Sequence, residues 1–200
     1  MRPNIQTALL VILMLAICMM QAHGQAVPTA TEELRLSAFG GVTGTFTGLS
    51  SGKNVGITAG ADVELRPHFS LYPSIEVRGT YPVAKGSVDS QKNILGGLKV
   101  AKPVGNRFRP YADFLFGRGE IKYGNGYAIP ASGFYYVQSV SNIFSPGVGV
   151  DFLLTNRVSL KADAQFQRYS SPVTTSGNLY AKPITFGVVY SFDFNRHPHR

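Results

Sequence analysis

Three small constellations in this 200-residue sequence have side chains able to do chemistry. His68 stands two residues before Ser70, a base and a nucleophile for acyl hydrolysis if an acid completes a triad within hydrogen-bond reach. Asp62 and Glu64 are carboxylates two positions apart, a pairing that general acid–base catalysis uses. His197 and His199 flank Pro198 and offer two nitrogens to a metal, but no third ligand is nearby in sequence. Each has a plainer reading. His68 follows Pro67 in a tight turn, and the two carboxylates have Arg66, Arg78, Lys99 and Lys161 as ion-pair partners. The tail histidines are incidental. The expectation is no catalytic centre, no metal and no cofactor.

The elements that carry these residues follow a two-residue period. From 55 to 66, Val55, Ile57, Ala59, Ala61, Val63 and Leu65 oppose Gly56, Thr58, Gly60, Asp62, Glu64 and Arg66. Similar alternation runs over 71–81, 158–167 and 184–194. Weaker strands are expected at about 34–46, 93–101, 110–118 and 143–154, with Leu95 breaking the polar face of its strand. Eight strands of roughly ten residues match the length a tilted strand needs to cross a bilayer. The links also alternate: short at 66–69, 102–109 and 155–157, longer at 47–53, 82–92, 119–142 and 168–183.

Composition narrows the class. With 44% hydrophobic and 15% charged residues, the chain is neither disordered nor a typical soluble domain. Its 22 glycines and 12 prolines argue against a helical bundle. Residues 1–24 read as a secretory signal: Arg2, an apolar run over 8–20 too short to span, then Ala22-His23-Gly24. Leu15-Ala16-Ile17-Cys18 approaches a lipobox, but Ile17 stands where a small residue belongs. Without the signal no cysteine remains, so the exported chain folds without disulfides. Residues 25–32 are a lead-in, 33–194 the β-domain and 195–200 a tail.

The polar faces carry Asp62, Glu64, Glu76, Asp113, Asp151, Asp163 and Asp193, with Arg35, Arg66, Arg78, Lys99 and Lys161. In a soluble barrel those charges face water around an apolar core. In a membrane barrel the apolar face meets lipid and the charges pair inside. Three features favour the second arrangement. The apolar faces are smooth, and the polar faces hold Gly56, Gly60, Gly97, Gly117, Gly147, Gly149 and Gly187, leaving room for long neighbours. Aromatics at strand ends (Phe69, Tyr81, Tyr111, Tyr169, Tyr190, Phe192, Phe194) suit interfacial girdles. The fold expected is all-β, an eight-stranded antiparallel up-and-down transmembrane barrel.

On Arg109-Pro110-Tyr111-Ala112-Asp113, Pro146-Gly147-Val148-Gly149-Val150-Asp151 and the ending Val188-Val189-Tyr190-Ser191-Phe192-Asp193-Phe194, residues 33–194 resemble the small OmpA/OmpX-type outer-membrane barrels of the Gram-negative envelope. The resemblance implies outer-membrane localisation, periplasmic chaperones, and a barrel-assembly machinery that reads Tyr190, Phe192 and Phe194. The six-residue tail beyond Phe194 departs from that ending. A lumen network of Asp62, Glu64, Arg66, Glu76, Arg78, Lys99, Asp113, Asp151, Lys161 and Asp163 is expected to hold the barrel together.

The net charge of +8 is scattered over both rims and comes with no nucleic-acid-binding motif, so nucleic acid is not an expected partner. Lys53, Lys85, Arg118, Lys122 and Lys182 fall at the outer rim, where they either snorkel or contact phosphates of outer-membrane lipid and lipopolysaccharide. Tyr123, Tyr127, Phe134, Tyr135 and Tyr136 make loop 119–142 a candidate contact surface. The expected function is structural and non-enzymatic, in a monomer. The alternatives are an adhesin acting through loop 119–142, a small pore, a lipid A-modifying enzyme, and a soluble periplasmic ligand-binding barrel.

Overall fold

Because successive side chains of a strand point to opposite sides, the period-two segments can close only one way if both faces are to be satisfied. The computed structural model describes residues 35–86, 88–128 and 133–192. The signal segment 1–24 with its lipobox-like stretch, the lead-in 25–32, and Asp193, Phe194 and the tail lie outside the described residues. The strands are β1 (Arg35–Phe46), β2 (Lys53–Glu64), β3 (Tyr72–Ala84), β4 (Asp89–Ala101), β5 (Phe108–Ala128), β6 (Tyr135–Leu153), β7 (Val158–Gln165), β8 (Gln167–Ser170) and β9 (Asn178–Phe192). Each pairs antiparallel with its neighbours, and β1 pairs β9 from Leu36↔Phe192 to Phe46↔Lys182, closing the sheet into a barrel.

The barrel has eight staves, because β7 and β8 are one strand. Both keep the same register against β6 and against β9. The interruption falls at Phe166, whose amide donates to the Pro146 carbonyl at 2.9 Å; Pro146 has no N–H to return the bond. At the β1–β9 seam, Gly41 faces Gly187. A Cβ at either would meet the opposite glycine's Cα within 2.9 Å, so side chains there would push the seam apart.

The faces are those of a membrane barrel. One outward residue from each stave, Val42, Ile57, Val77, Leu98, Phe114, Val148, Leu160 and Phe186, is 45–66% exposed. One inward residue from each, Thr43, Thr58, Arg78, Lys99, Asp113, Asp151, Lys161 and Thr185, is 9% exposed or less. Among the girdle aromatics expected from sequence, Phe69, Tyr81, Tyr190 and Phe192 point outward, but Tyr111 and Tyr169 are buried in the lumen. The polar-face glycines make room for uncharged groups as well. The Gln165 amide fills the space beside Gly147, the Tyr111 hydroxyl that beside Gly149, and the Phe39 ring that beside Gly60.

At one end the strands turn through residues 65–71, 102–107 and 154–157, at the other through 47–52 and 171–177, with the β3–β4 and β5–β6 links also at that end. The expected long loops 82–92, 119–142 and 168–183 are thus mostly strand. The β5–β6 ladder runs on to Lys122↔Gln138, then shifts register to reach Ala128↔Tyr135. The strands persist beyond the bilayer length because they still bury an apolar inward face, including Ile121, Tyr123, Ile143, Tyr169 and Leu179. The end with short turns is the periplasmic end in barrels of this construction.

Candidate functional site

The lumen is filled in layers. Nearest the short-turn end, Arg109 pairs with Glu64 at 2.5 Å, and its guanidinium lies over the Tyr72 ring. Lys99 then reaches Asp62 and Asp151, each at 3.3 Å. The space left among Asp62, Lys99, Asp151, Ser37 and Ser191 is about 20 Å³, room for about one water.

The centre is built on Arg78, 2% exposed. Its Nε donates to Glu76 at 2.6 Å, Nη1 to Asp163 at 2.6 Å, and Nη2 to Asp113 at 3.2 Å. A planar guanidinium can serve three carboxylates at once where an ammonium offers only a point charge. Tyr111 donates to Asp163 at 2.8 Å, and Gln165 donates to Asp113 at 2.9 Å while accepting from Ser145 at 2.7 Å. Lys161 lies 4.0 Å from both Glu76 and Asp151, and over the rings of Phe39 and Tyr111 at 4.6 and 4.3 Å. Its ammonium thus relies on ring faces as well as carboxylates.

Farther out, the hydroxyls of Thr185, Thr43, Thr58 and Thr80 join in a chain with links of 2.6–2.8 Å. Above them Leu49, Leu95, Leu115, Ile121, Tyr123, Ile143, Tyr169, Leu179 and Ala181 form one buried apolar plug. Asn93 donates to the Tyr169 hydroxyl at 3.1 Å, which donates to Gln167 at 3.0 Å, and the Tyr123 hydroxyl bonds those of Ser139 and Ser171 at 2.8 Å, so both of the plug's hydroxyls are satisfied.

The structure therefore gathers Asp62, Glu76, Arg78, Lys99, Asp113, Asp151, Lys161 and Asp163 into one connected cluster, with Glu64 at its lower margin. Arg66 lies past the end of β2 and is exposed. Arg35 donates to the Asn156 carbonyl at 3.1 Å and lines the short-turn end of the lumen beside Glu64 and Arg109. Arg109, expected at the rim, takes the inward place, because it stands two residues from Tyr111 on the inward phase of β5. Sequence reading also missed the plug, although Leu95, Leu115, Ile121, Ile143 and Leu179 all stand in the inward phase of their strands.

Outside, the apolar belt ends in a ring of cations. Lys53, Lys85, Lys122 and Lys182 are all exposed toward the outer ends of their staves, and Arg118 is exposed at the middle of β5. Lys92 joins them, pairing with Glu120 at 2.9 Å, and Lys122 approaches the same carboxylate at 3.6 Å. His68, by contrast, closes a two-residue turn at the opposite end through reciprocal backbone bonds with Leu71. Its ring packs edge-on against Phe69 at 4.3 Å, and among the described residues no carboxylate completes a triad with Ser70. No group of three or more His, Cys, Asp or Glu placed to hold a metal occurs among the described residues; His197 and His199 lie outside them.

Comparison with known proteins agrees with this architecture. The family described as "Outer membrane protein beta-barrel domain" matches residues 9–192. Among solved structures, the chain is similar to Neisserial surface protein A at 14% identity and a TM-score of 0.51, over 80% of this chain and 97% of that one. Ail, the attachment invasion locus protein of Yersinia pestis, aligns at 12% identity and 0.47, covering 80% and 99%. A major outer membrane protein of Thermus thermophilus aligns at 16% and 0.44, covering 78% and 99%. No curated protein sequence matches significantly.

Proposed function

Since this chain belongs to the outer membrane protein β-barrel domain family and resides in the outer membrane, we propose that it serves there as a closed, non-catalytic structural barrel. The observation that carries this reading is the filled lumen: among the described residues, ion pairs occupy its inner part and an apolar plug sits above them. On this reading the lumen network is a brace, and the outer cations Lys53, Lys85, Arg118, Lys122 and Lys182 fix the barrel against lipopolysaccharide phosphates. Tyr190 and Phe192, both outward and edge-packed at 4.9 Å, with Phe194, form the signal for the barrel-assembly machinery, to which periplasmic chaperones deliver the chain. The barrel works as a monomer. Deleting the protein should sensitise cells to detergent without changing uptake of small solutes. A selective loss of solute uptake would overturn the structural reading.

A second reading rests on the β5–β6 hairpin. Phe134, Tyr135 and Val137 are 71%, 63% and 66% exposed near its tip, beyond the cation ring, where lipid does not cover them. An adhesive surface there should move with the hairpin. Grafting residues 119–142 onto an unrelated eight-stranded barrel is expected to transfer surface adherence, and a graft that folds but does not adhere would remove this reading.

A further inference from the structure

The barrel wall has a slit. The β3–β4 ladder runs from Tyr72↔Ala101 only as far as Thr80↔Asn93, although both strands continue outward. Beyond that point β3 stays with β2 and β4 stays with β5. Two local causes act on the end of β3. Pro82 has no amide to donate, and a register shift at Val55/Gly56 bends β3 where it pairs with β2. The gap opens into a cleft of about 450 Å³, within the range of ligand pockets at roughly 300–1,000 Å³. Its walls are apolar: Tyr81, Ile94 and Val140 stand outward around Gly79, which has no side chain. At the cleft and just above it lie Lys85, Lys92, Arg118 and Lys122, against the single carboxylate Glu120.

We propose that this slit binds one molecule of lipid A, the phosphorylated and acylated anchor of lipopolysaccharide, with an acyl chain in the cleft and its phosphate among these cations. The occupant follows from the charge and the position. An apolar trough facing the hydrocarbon takes a chain, and an excess of cations at its outer end takes an anion at headgroup level. Lys92, positioned by Glu120 at 2.9 Å, is the inner cation. This deepens the lipopolysaccharide contacts of the structural reading by assigning them one place on the wall; Lys53 and Lys182, on other staves, fall outside it.

The test uses the folded, exported protein in detergent, mixed with bis-phosphorylated lipid A and examined by native mass spectrometry. A Cβ at Gly79 would meet nothing closer than 3.6 Å, so Gly79→Leu fills the trough without straining the wall. We expect a single lipid A adduct on the wild type. It should weaken about tenfold in Gly79→Leu and again in the Lys92→Gln/Lys122→Gln double variant. Both variants should keep the wild-type shift on unheated gels, which establishes that they fold. Dephosphorylated lipid A and phosphatidylglycerol should bind less well than lipid A.

If Gly79→Leu folds and retains the adduct, the cleft is not the site. Phosphatidylglycerol binding as tightly as lipid A would overturn the choice of lipid. An equal loss in Lys53→Gln/Lys182→Gln would leave the general rim contacts standing and remove the slit. If no variant changes binding, both the slit and the rim contacts fail.

Discussion

At the scale of single residues, Arg78 decides more than any other side chain. It faces Glu76, Asp113 and Asp163 where water is excluded, so removing it leaves three buried carboxylates short of a cation. Breaking one partner out of a buried ion pair costs roughly 3–5 kcal/mol. Arg78→Met is therefore expected to lower the unfolding free energy from detergent micelles, measured by urea titration, by an amount of that order. Arg78→Lys should be only a partial rescue, because an ammonium cannot reproduce the fork. Asp89 behaves differently. It is 1% exposed above the cation ring and has no cation partner among the described residues. Burial pushes its carboxyl above the ordinary range, and the hydrogen bond from Gln91 pulls the other way. The folded protein thus binds this proton more tightly than the unfolded chain does. Ionisation at neutral pH costs stability, and the cost disappears once the pH falls below the unfolded value of about 4. Asp89→Asn should be the more stable protein near pH 7 and no better than wild type near pH 3, as judged by urea titrations at the two pH values. The carboxylates and lysines of the network were legible in the sequence because each stands on the polar phase of its strand. The pairing of Arg109 with Glu64 was not, because only the ladder shows how far the inward phase of β5 reaches.

At the scale of elements, the turns and seams carry the stored cost. Phe69 and Ser70 both have positive φ, 49° and 62°, in the two-residue turn between His68 and Leu71. This is a conformation that Asn-Gly adopts readily and Phe-Ser does not. Replacing the pair with Asn-Gly is expected to stabilise the barrel by about 1–2 kcal/mol, taking roughly 1–2 kcal/mol as the left-handed cost of one ordinary residue. A urea titration beside wild type measures it. The Gly41–Gly187 contact is a test in the other direction. Gly187→Val would place Cβ 2.4 Å from the Gly40 carbonyl oxygen, so the β1–β9 seam should fail to close. The variant should lose the gel shift between unheated and heated samples. Strand positions followed from alternation, but the outer ends did not. Gly, Ser and Tyr over 119–142 have loop-like composition, and cross-strand pairing carries most of them into β5 and β6.

At the scale of the whole molecule, on the structural reading, the filled lumen and the β1–β9 seam make a barrel that does not conduct. Reconstituted into planar bilayers, the protein should show no sustained conductance steps, and unheated samples should migrate apart from boiled ones. Frequent stable openings would mean that the plug of Leu95, Leu115, Ile143 and Tyr169 is mobile enough to admit water. The inversion is set at this scale too. Forty-four per cent hydrophobic residues do not bury themselves; most of the aliphatic and Phe side chains ring the outside, where lipid replaces water as the solvent.

The sequence by itself determined the strand count, the antiparallel up-and-down order and which residues share a face, because a period of two needs no partner to be read. It also determined that the charged face has enough opposite signs to pair within itself. Tertiary structure alone decided which carboxylate meets which cation, that an apolar plug gathers in the outer half of the lumen, and that β3 parts from β4 beyond Thr80. Those depend on register, tilt and closure, which bring together residues as distant as Arg78 and Asp163. No local pattern encodes such a distance.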